Sequence, residues 1–170
     1  MFDFLRKNSS KSATPTPSID GIFNVVPYAA PDISGVENWI NSDPLTLKDL
    51  LGKVVLIKFW TYGCINCVRT LPHVNDWYGE FKPKGFEVIG LHAPEFEAEK
   101  ELHNVQRNVQ QRKIEYPVVQ DNKMATWRAY GNNYWPAHYL IDKQGMVRRV
   151  HFGEGEYEEM RTAIKQLLTE

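Results

Sequence analysis

Cys64 and Cys67 are the only two cysteines in the chain, and they follow directly on the apolar run Val54-Val55-Leu56-Ile57-Lys58-Phe59-Trp60. A helical pattern begins just after them, near Val68. A Cys-x-x-Cys pair at a strand-to-helix junction reads first as a redox signature. Residues three apart on a helix share a face, so both sulfurs can meet within one turn. The first thiol falls at the helix start, where unpaired N–H groups and the macrodipole favour a thiolate. The expectation is a nucleophile, Cys64, with a resolving partner, Cys67, beside it. A closed zinc site would need four ligands. There is no second cysteine pair, and the histidines at 73, 92, 103, 138 and 151 are scattered rather than spaced as ligands. No metal ligand set is expected.

At 170 residues, 24% charged and 42% hydrophobic, the chain suits one domain with a full core. Its formal charge of −1 gives no reason to expect nucleic acid or an anionic membrane as partner. No run approaches the roughly 18 apolar residues of a spanning helix. The opening Met1-Phe2-Asp3-Phe4-Leu5-Arg6-Lys7-Asn8 has an acid among few apolar residues and its basic residues after them. A secretory signal needs the reverse order, so no export signal is read in the chain as written, which by itself points to the cytoplasm.

Residues 8–18 are Ser, Thr, Pro, Lys and Asn with one alanine, and residues 1–18 are read as a disordered tether ahead of a domain over 19–170. From Ile19 to Pro44 the pattern is irregular, and Thr46 to Gly52 looks like a short capped turn. Lys53–Trp60 reads as a central strand buried on both faces. Val68–Phe81 reads as a helix with a kink at Pro72. Phe86–Leu91 is a second buried strand. A long helix then carries Ala98, Leu102, Val105 and Val109 on one face, with Glu, Lys, Arg, Asn and Gln filling the rest. A short strand at Tyr116–Gln120 and a short helix at Met124–Tyr130 follow. Ala137–Ile141 and Met146–Phe152 form a hairpin around Asp142-Lys143-Gln144-Gly145, and Glu156–Leu168 is a closing amphipathic helix. The order describes an α/β protein with a mixed sheet.

Several words of the chain resemble the thioredoxin superfamily, in its TlpA-like branch, and most of all the C-terminal domain of DipZ proteins. They are Phe59-Trp60-Thr61-Tyr62-Gly63-Cys64-Ile65-Asn66-Cys67, Arg69-Thr70-Leu71-Pro72 and Val88 to Phe96. Tyr134-Trp135-Pro136-Ala137 before Tyr139-Leu140-Ile141-Asp142, and His151-Phe152-Gly153-Glu154-Gly155, complete the set, which covers the chain from about Ala30 onward. The resemblance implies a thioredoxin-like fold: a central mixed β-sheet flanked by helices, with a helix-plus-strand insertion over residues 94 to 120. It implies a thiol–disulfide oxidoreductase acting on protein disulfides in the reducing direction, as a monomer, with no cofactor beyond the Cys64–Cys67 disulfide. It also implies a CcdA-type membrane thiol carrier as electron donor and an extracytoplasmic location, against the absence of an export signal.

The same resemblance makes Trp135–Pro136 a cis bond facing the cysteines, with Trp135 offering backbone groups to a partner strand. Trp60 is expected in the core with one exposed edge, and Tyr62 on the rim of the site. His92 lies at the carboxyl end of the second strand, where sites form in open α/β sheets, although a hydrogen-bonded structural histidine is the plainer reading. Arg69 and His103 read as surface residues, and Glu154 as part of a turn or of the entry to the last helix.

Lys58 is the chief departure. The resembled domains carry an acid six residues before the first cysteine as a buried proton acceptor, and the branch often has a second acid six residues after it. Those positions hold Lys58 and Thr70 here. Either the lysine sends its ammonium to the surface along its stem, or it is buried, favours the thiolate and loses basicity through desolvation. In both cases the base for Cys67 is in question. Two other functions stay open. Thr61-Tyr62-Gly63-Cys64 satisfies the Thr-x-x-Cys element of thiol peroxidases, but the proline they carry four residues earlier is Ile57. A copper-binding thioredoxin-like protein would use the cysteines with a histidine, although such proteins usually space the cysteines by three residues.

Overall fold

The apolar run becomes the middle of a seven-stranded sheet in the structure, a computed structural model that describes residues 21–170. The tether read over residues 1–18 lies outside the described residues. Strands β1 (Tyr28–Ala29), β2 (Glu37–Ile40), β3 (Val54–Trp60), β4 (Phe86–His92), β5 (Val118–Gln120), β6 (Ala137–Ile141) and β7 (Met146–Phe152) stand in the order β1-β7-β6-β3-β4-β5-β2. The β3–β4 and β4–β5 pairs are parallel, and β6, β7, β1 and β2 join antiparallel. All seven residues of β3 are buried, because a central strand has a layer on each face.

The two faces split the core. Val54, Leu56 and Trp60 of β3 pack with Leu71, Val74 and Phe81 of helix α1 (Ile65–Phe81), Val105 and Val109 of α2 (Leu102–Gln111), and Met160, Ile164 and Leu167 of α4 (Tyr157–Thr169). Val55, Ile57 and Phe59 pack on the other side with Ile33, Leu50, Tyr130 and Trp127 of α3 (Ala125–Ala129). Lys58 therefore points towards α1, in the row of Leu56 and Trp60.

Three details differ from the sequence reading, and a fourth, the hairpin around Asp142, agrees with it. Helix α1 starts at Ile65 and continues through Pro72, which has no N–H to donate to the Val68 carbonyl. The single helix expected from Ala98 to Val109 is a 3-10 turn, Glu97–Lys100, and then α2, with Glu101 extended at ψ 116° between them. The Lys100 carbonyl accepts from the Gln120 and Asn122 side-chain amides, and this draws it out of a helical ladder. The irregular segment before residue 44 supplies two edge strands, β1 and β2. Asp142 closes the β6–β7 hairpin by accepting from the Gln144 and Met146 N–H groups, with Gly145 at φ +81°.

Candidate active site

Strand β3 ends at Trp60 and the chain turns through Thr61-Tyr62-Gly63 to put Cys64 at the N-cap of α1. The Cys67 N–H donates to Cys64 Sγ at 3.3 Å, and the Cys64 N–H donates to the Thr61 carbonyl at 3.3 Å. The Cys64 sulfur thus takes the place of a capping oxygen at the end of a helix that attracts negative charge. Both thiols are free; Cys64 is half-buried and Cys67 fully buried. Burial pushes the Cys67 thiol well above its ordinary value, and its hydrogen bond with Cys64 adds to this; the Thr61 backbone and Lys58 oppose it. Cys64 is thus the more accessible of the two sulfurs, and Cys67 lies beneath it.

Lys58 is 0% exposed, so its ammonium does not reach solvent. Nζ donates to the Thr70 hydroxyl, which in turn donates to the Cys67 carbonyl at 2.7 Å. Burial lowers the lysine to about 8, against the attraction of Cys67 and Cys64. The fold has joined by hydrogen bonds the two positions where acids were expected.

His92 is also fully buried. Its Nε2 accepts the Tyr62 N–H at 3.2 Å and lies 3.4 Å from the Thr61 hydroxyl. Burial lowers it to about 3, so the ring is neutral. The Tyr62 ring stacks on it at 5.5 Å, and the Tyr62 hydroxyl donates to the Ala98 carbonyl at 3.0 Å. Trp60 packs edge-on against His92 at 5.0 Å and is completely buried, with no exposed edge.

The Trp135–Pro136 bond is cis. Ala137 pairs with Phe59, so Pro136 arrives at the carboxyl end of β3, where the loop to Cys64 begins. Trp135 is half-buried, its indole N–H donates to the Ala93 carbonyl at 2.9 Å, and its ring lies 4.3 Å from that of Trp127. Arg69 is exposed and pairs with Glu154 at 3.7 Å, and His103 is exposed beside Arg107.

One residue of the site escaped the sequence reading. Glu99, in the 3-10 turn, is only 3% exposed, and its carboxylate accepts the Thr61 hydroxyl. A Cβ at Gly63 would stand 3.3 Å from its carboxyl atoms, so the glycine makes room for the acid. Helical periodicity gives Glu99 to the polar face of one long helix; only the break at Glu101 turns it inward. Among the described residues, no group of three or more His, Cys, Asp or Glu could hold a metal ion.

Residues 26–150 match the model of the AhpC/TSA family. The chain is 49% identical over 144 residues to protein DipZ of Mycobacterium bovis, an alignment covering 83% of this chain and 21% of that protein. The chain thus spans about a fifth of the length of that relative. It is 33% identical over 129 residues to the thiol-disulfide oxidoreductase ResA of Halalkalibacterium halodurans, covering 76% of this chain and 70% of ResA. A thiol-disulfide isomerase structure from Corynebacterium glutamicum superposes with a TM-score of 0.73 at 25% identity, over 83% of this chain and 97% of that one. With residues 26–150 matched and a thiol-disulfide oxidoreductase among its relatives, the chain belongs to the AhpC/TSA family of thioredoxin-like proteins.

Proposed function

We propose that this domain reduces disulfides in partner proteins and is itself re-reduced by a membrane thiol carrier of the CcdA type. The domain is a thiol–disulfide oxidoreductase, and the observation that carries the mechanism is the half-buried Cys64 sulfur at the cap of α1 with buried Cys67 one turn behind it. The Cys64 thiolate attacks a partner disulfide, forming a mixed disulfide and releasing one partner thiolate. Cys67 then attacks the Cys64 sulfur, releases the second partner thiolate and leaves the Cys64–Cys67 disulfide. Two electrons pass to the partner. Trp135 and Pro136 flank the pair and offer main chain to the partner strand. No bound cofactor takes part, and the working unit is a monomer.

Two observations weigh against the other functions. The Thr61 hydroxyl is committed to Glu99, and Ile57 stands where a peroxidase carries proline. His92 Nε2 is committed to the Tyr62 N–H, so it is not free to bind copper with the thiols.

Insulin reduction coupled to dithiothreitol tests the activity. The wild-type domain accelerates it and Cys64→Ser does not; no acceleration by the wild type would refute the reading. Equilibration against glutathione buffers tests direction: a reductant sits nearer about −270 mV than about −120 mV. Sedimentation velocity reads the monomer.

A further inference from the structure

Lys58 is held in a place that a lysine rarely occupies. It sits between Leu56 and Trp60 on the central strand, and its one hydrogen-bond partner among the described residues is Thr70, on the helix that follows Cys64 and carries Cys67. The Thr70 hydroxyl hydrogen is spent on the Cys67 carbonyl, so the oxygen presents a lone pair to Nζ. No carboxylate pairs with Lys58 among the described residues.

The groups around it are few. Gly90 lies across from it on β4 and brings no side chain, and His138 lies across from it on β6. His138 is buried, its Nε2 has no hydrogen-bond partner among the described residues, and burial, then Lys58, hold it well below its ordinary value. Behind it on β7 stand His151, at 3.1 Å from Glu156, and Arg149, which also pairs with Glu156. From α1 and its cap come Thr70, Cys67 and Cys64, and α4 adds Met160, Ala163, Ile164 and Leu167 to this face. A buried ammonium without a counter-ion is unfavourable. The cysteines are the groups that favour the charge, and only as thiolates do they attract it.

We propose that Lys58, as a neutral amine, takes the proton of Cys67 when that thiol resolves the mixed disulfide. This deepens the exchange mechanism proposed above and rests on it. The Cys67 S–H bond breaks, its proton moves to Nζ, and the sulfur electron pair forms the bond to Cys64 Sγ. The bond from Cys64 Sγ to the partner sulfur breaks, and the partner leaves as a thiolate that protonates from water. When the disulfide has formed, no thiolate remains beside the new ammonium. Its proton then passes out to water past the half-buried Cys64, and above about pH 8 the amine is neutral again. Because burial sets the amine near 8, this exchange of a proton falls close to neutral pH. The lysine thereby does the work of the two missing acids with the opposite charge: it creates an ion pair with the thiolate instead of removing one.

The experiment separates the two half-reactions. Cys67→Ser protein mixed with a disulfide peptide reports attack by Cys64 alone; if no mixed disulfide accumulates, the exchange mechanism itself fails and Lys58 is not in question. If it accumulates, single-turnover resolution is followed against pH in wild type, Lys58→Met and Lys58→Asp. In the wild type the rate rises with a midpoint near pH 8. Lys58→Met slows resolution at pH 7 by roughly a hundredfold and loses that midpoint, and Lys58→Asp recovers the rate with a midpoint on the acid side. An unchanged rate and profile in Lys58→Met would overturn the proposal. The NMR titration of the Lys58 Cε resonance in unaltered protein gives a second check that no folding defect can blur. The proton must be held to higher pH in the dithiol form than in the disulfide form, and identical titrations would also overturn it.

Discussion

The Tyr62 N–H donates to Nε2 of His92 across the gap between the ends of β3 and β4, at 3.2 Å. That bond leaves Nδ1 to carry the ring proton and pins the loop that leads to Cys64. Tyr62 then closes over the imidazole and reaches the 3-10 turn through its hydroxyl. A neutral histidine, rather than an imidazolium, supports the cysteine loop.

This gives the domain an acid sensitivity. Burial lowers His92 from 6.5 to about 3. Between those values the unfolded chain binds a proton that the folded chain refuses, so stability is lost as pH falls through the window. The loss is about 1.4 kcal/mol per pH unit for one such group. Replacing His92 by Gln keeps an acceptor for Tyr62 and removes the titration. Urea unfolding between pH 6 and 4 should show a slope shallower by about one proton in His92→Gln. Equal slopes would mean that His92 takes up its proton in the folded state.

The cysteines differ in access. Cys64 is half-buried and Cys67 has no exposed surface and a thiol that holds its proton. Iodoacetamide should label Cys64 more than about tenfold faster than Cys67 in the reduced protein, since only an accessible thiolate reacts. Cys67→Ser should accumulate mixed disulfides with protein substrates, and Cys64→Ser should form none. Peptide mapping by mass spectrometry reads both, and faster labelling of Cys67 would reverse the assigned roles.

The central strand and its helix are legible in the sequence because both signals are strong and local. An apolar run interrupted by Lys58 alone calls for burial on both faces, and a cysteine pair beside it marks the junction. Strand β2 is not legible. Asn38 within it and Asn41 just after it take φ of 53° and 69°, two of its four residues are exposed, and its partners on β5 lie 78 to 83 positions away (Ile40 with Val118, Glu37 with Gln120). The sequence leaves the fate of Lys58 open for a related reason. A lysine stem can reach solvent from an edge strand, but β3 is flanked by β4 and β6 and roofed by α1 and α4, so no path is open. Glu99 depended on a helix break that side chains far along the chain, Gln120 and Asn122, help to impose.

Gly63 and Glu99 should prove coupled. An added Cβ at Gly63 would lie 3.3 Å from the Glu99 carboxyl carbon and both oxygens, and the acid is tethered to Thr61. Gly63→Ala should destabilise by about 1–3 kcal/mol through overpacking. Glu99→Ala should cost a similar amount by orphaning the Thr61 hydroxyl. In the double variant the room left by the acid accepts the methyl, so the summed cost should fall short by at least about 0.5 kcal/mol. Strictly additive costs in denaturant unfolding would show that the two do not touch.

The last prediction concerns what Lys58 does to stability. Its ordinary value is 10.5 and burial brings it to about 8, so the folded protein holds this proton less firmly than the unfolded chain. Below pH 8 both states are protonated and the folded state bears the full penalty, about 3 kcal/mol for a difference of this size. From pH 8 to 10.5 the unfolded chain still binds the proton while the folded amine is neutral, so stability rises with pH and the penalty is gone above 10.5. Methionine fills a similar volume without a charge, and Thr70 keeps its bond to the Cys67 carbonyl. Lys58→Met should therefore stabilise the dithiol protein at pH 7, and its advantage should shrink from pH 8 to 10.5. The unfolded chain's thiols titrate within this range in both proteins alike, while buried Cys67 keeps its proton across it, so the difference between the proteins reports the lysine. In the disulfide form the attraction of the sulfurs is absent, so the advantage of methionine should be larger there. Urea unfolding of both proteins in both redox states across pH 7 to 11 measures it. A Lys58→Met protein that is less stable, or a difference that ignores pH, would show that the amine is better solvated than its burial implies.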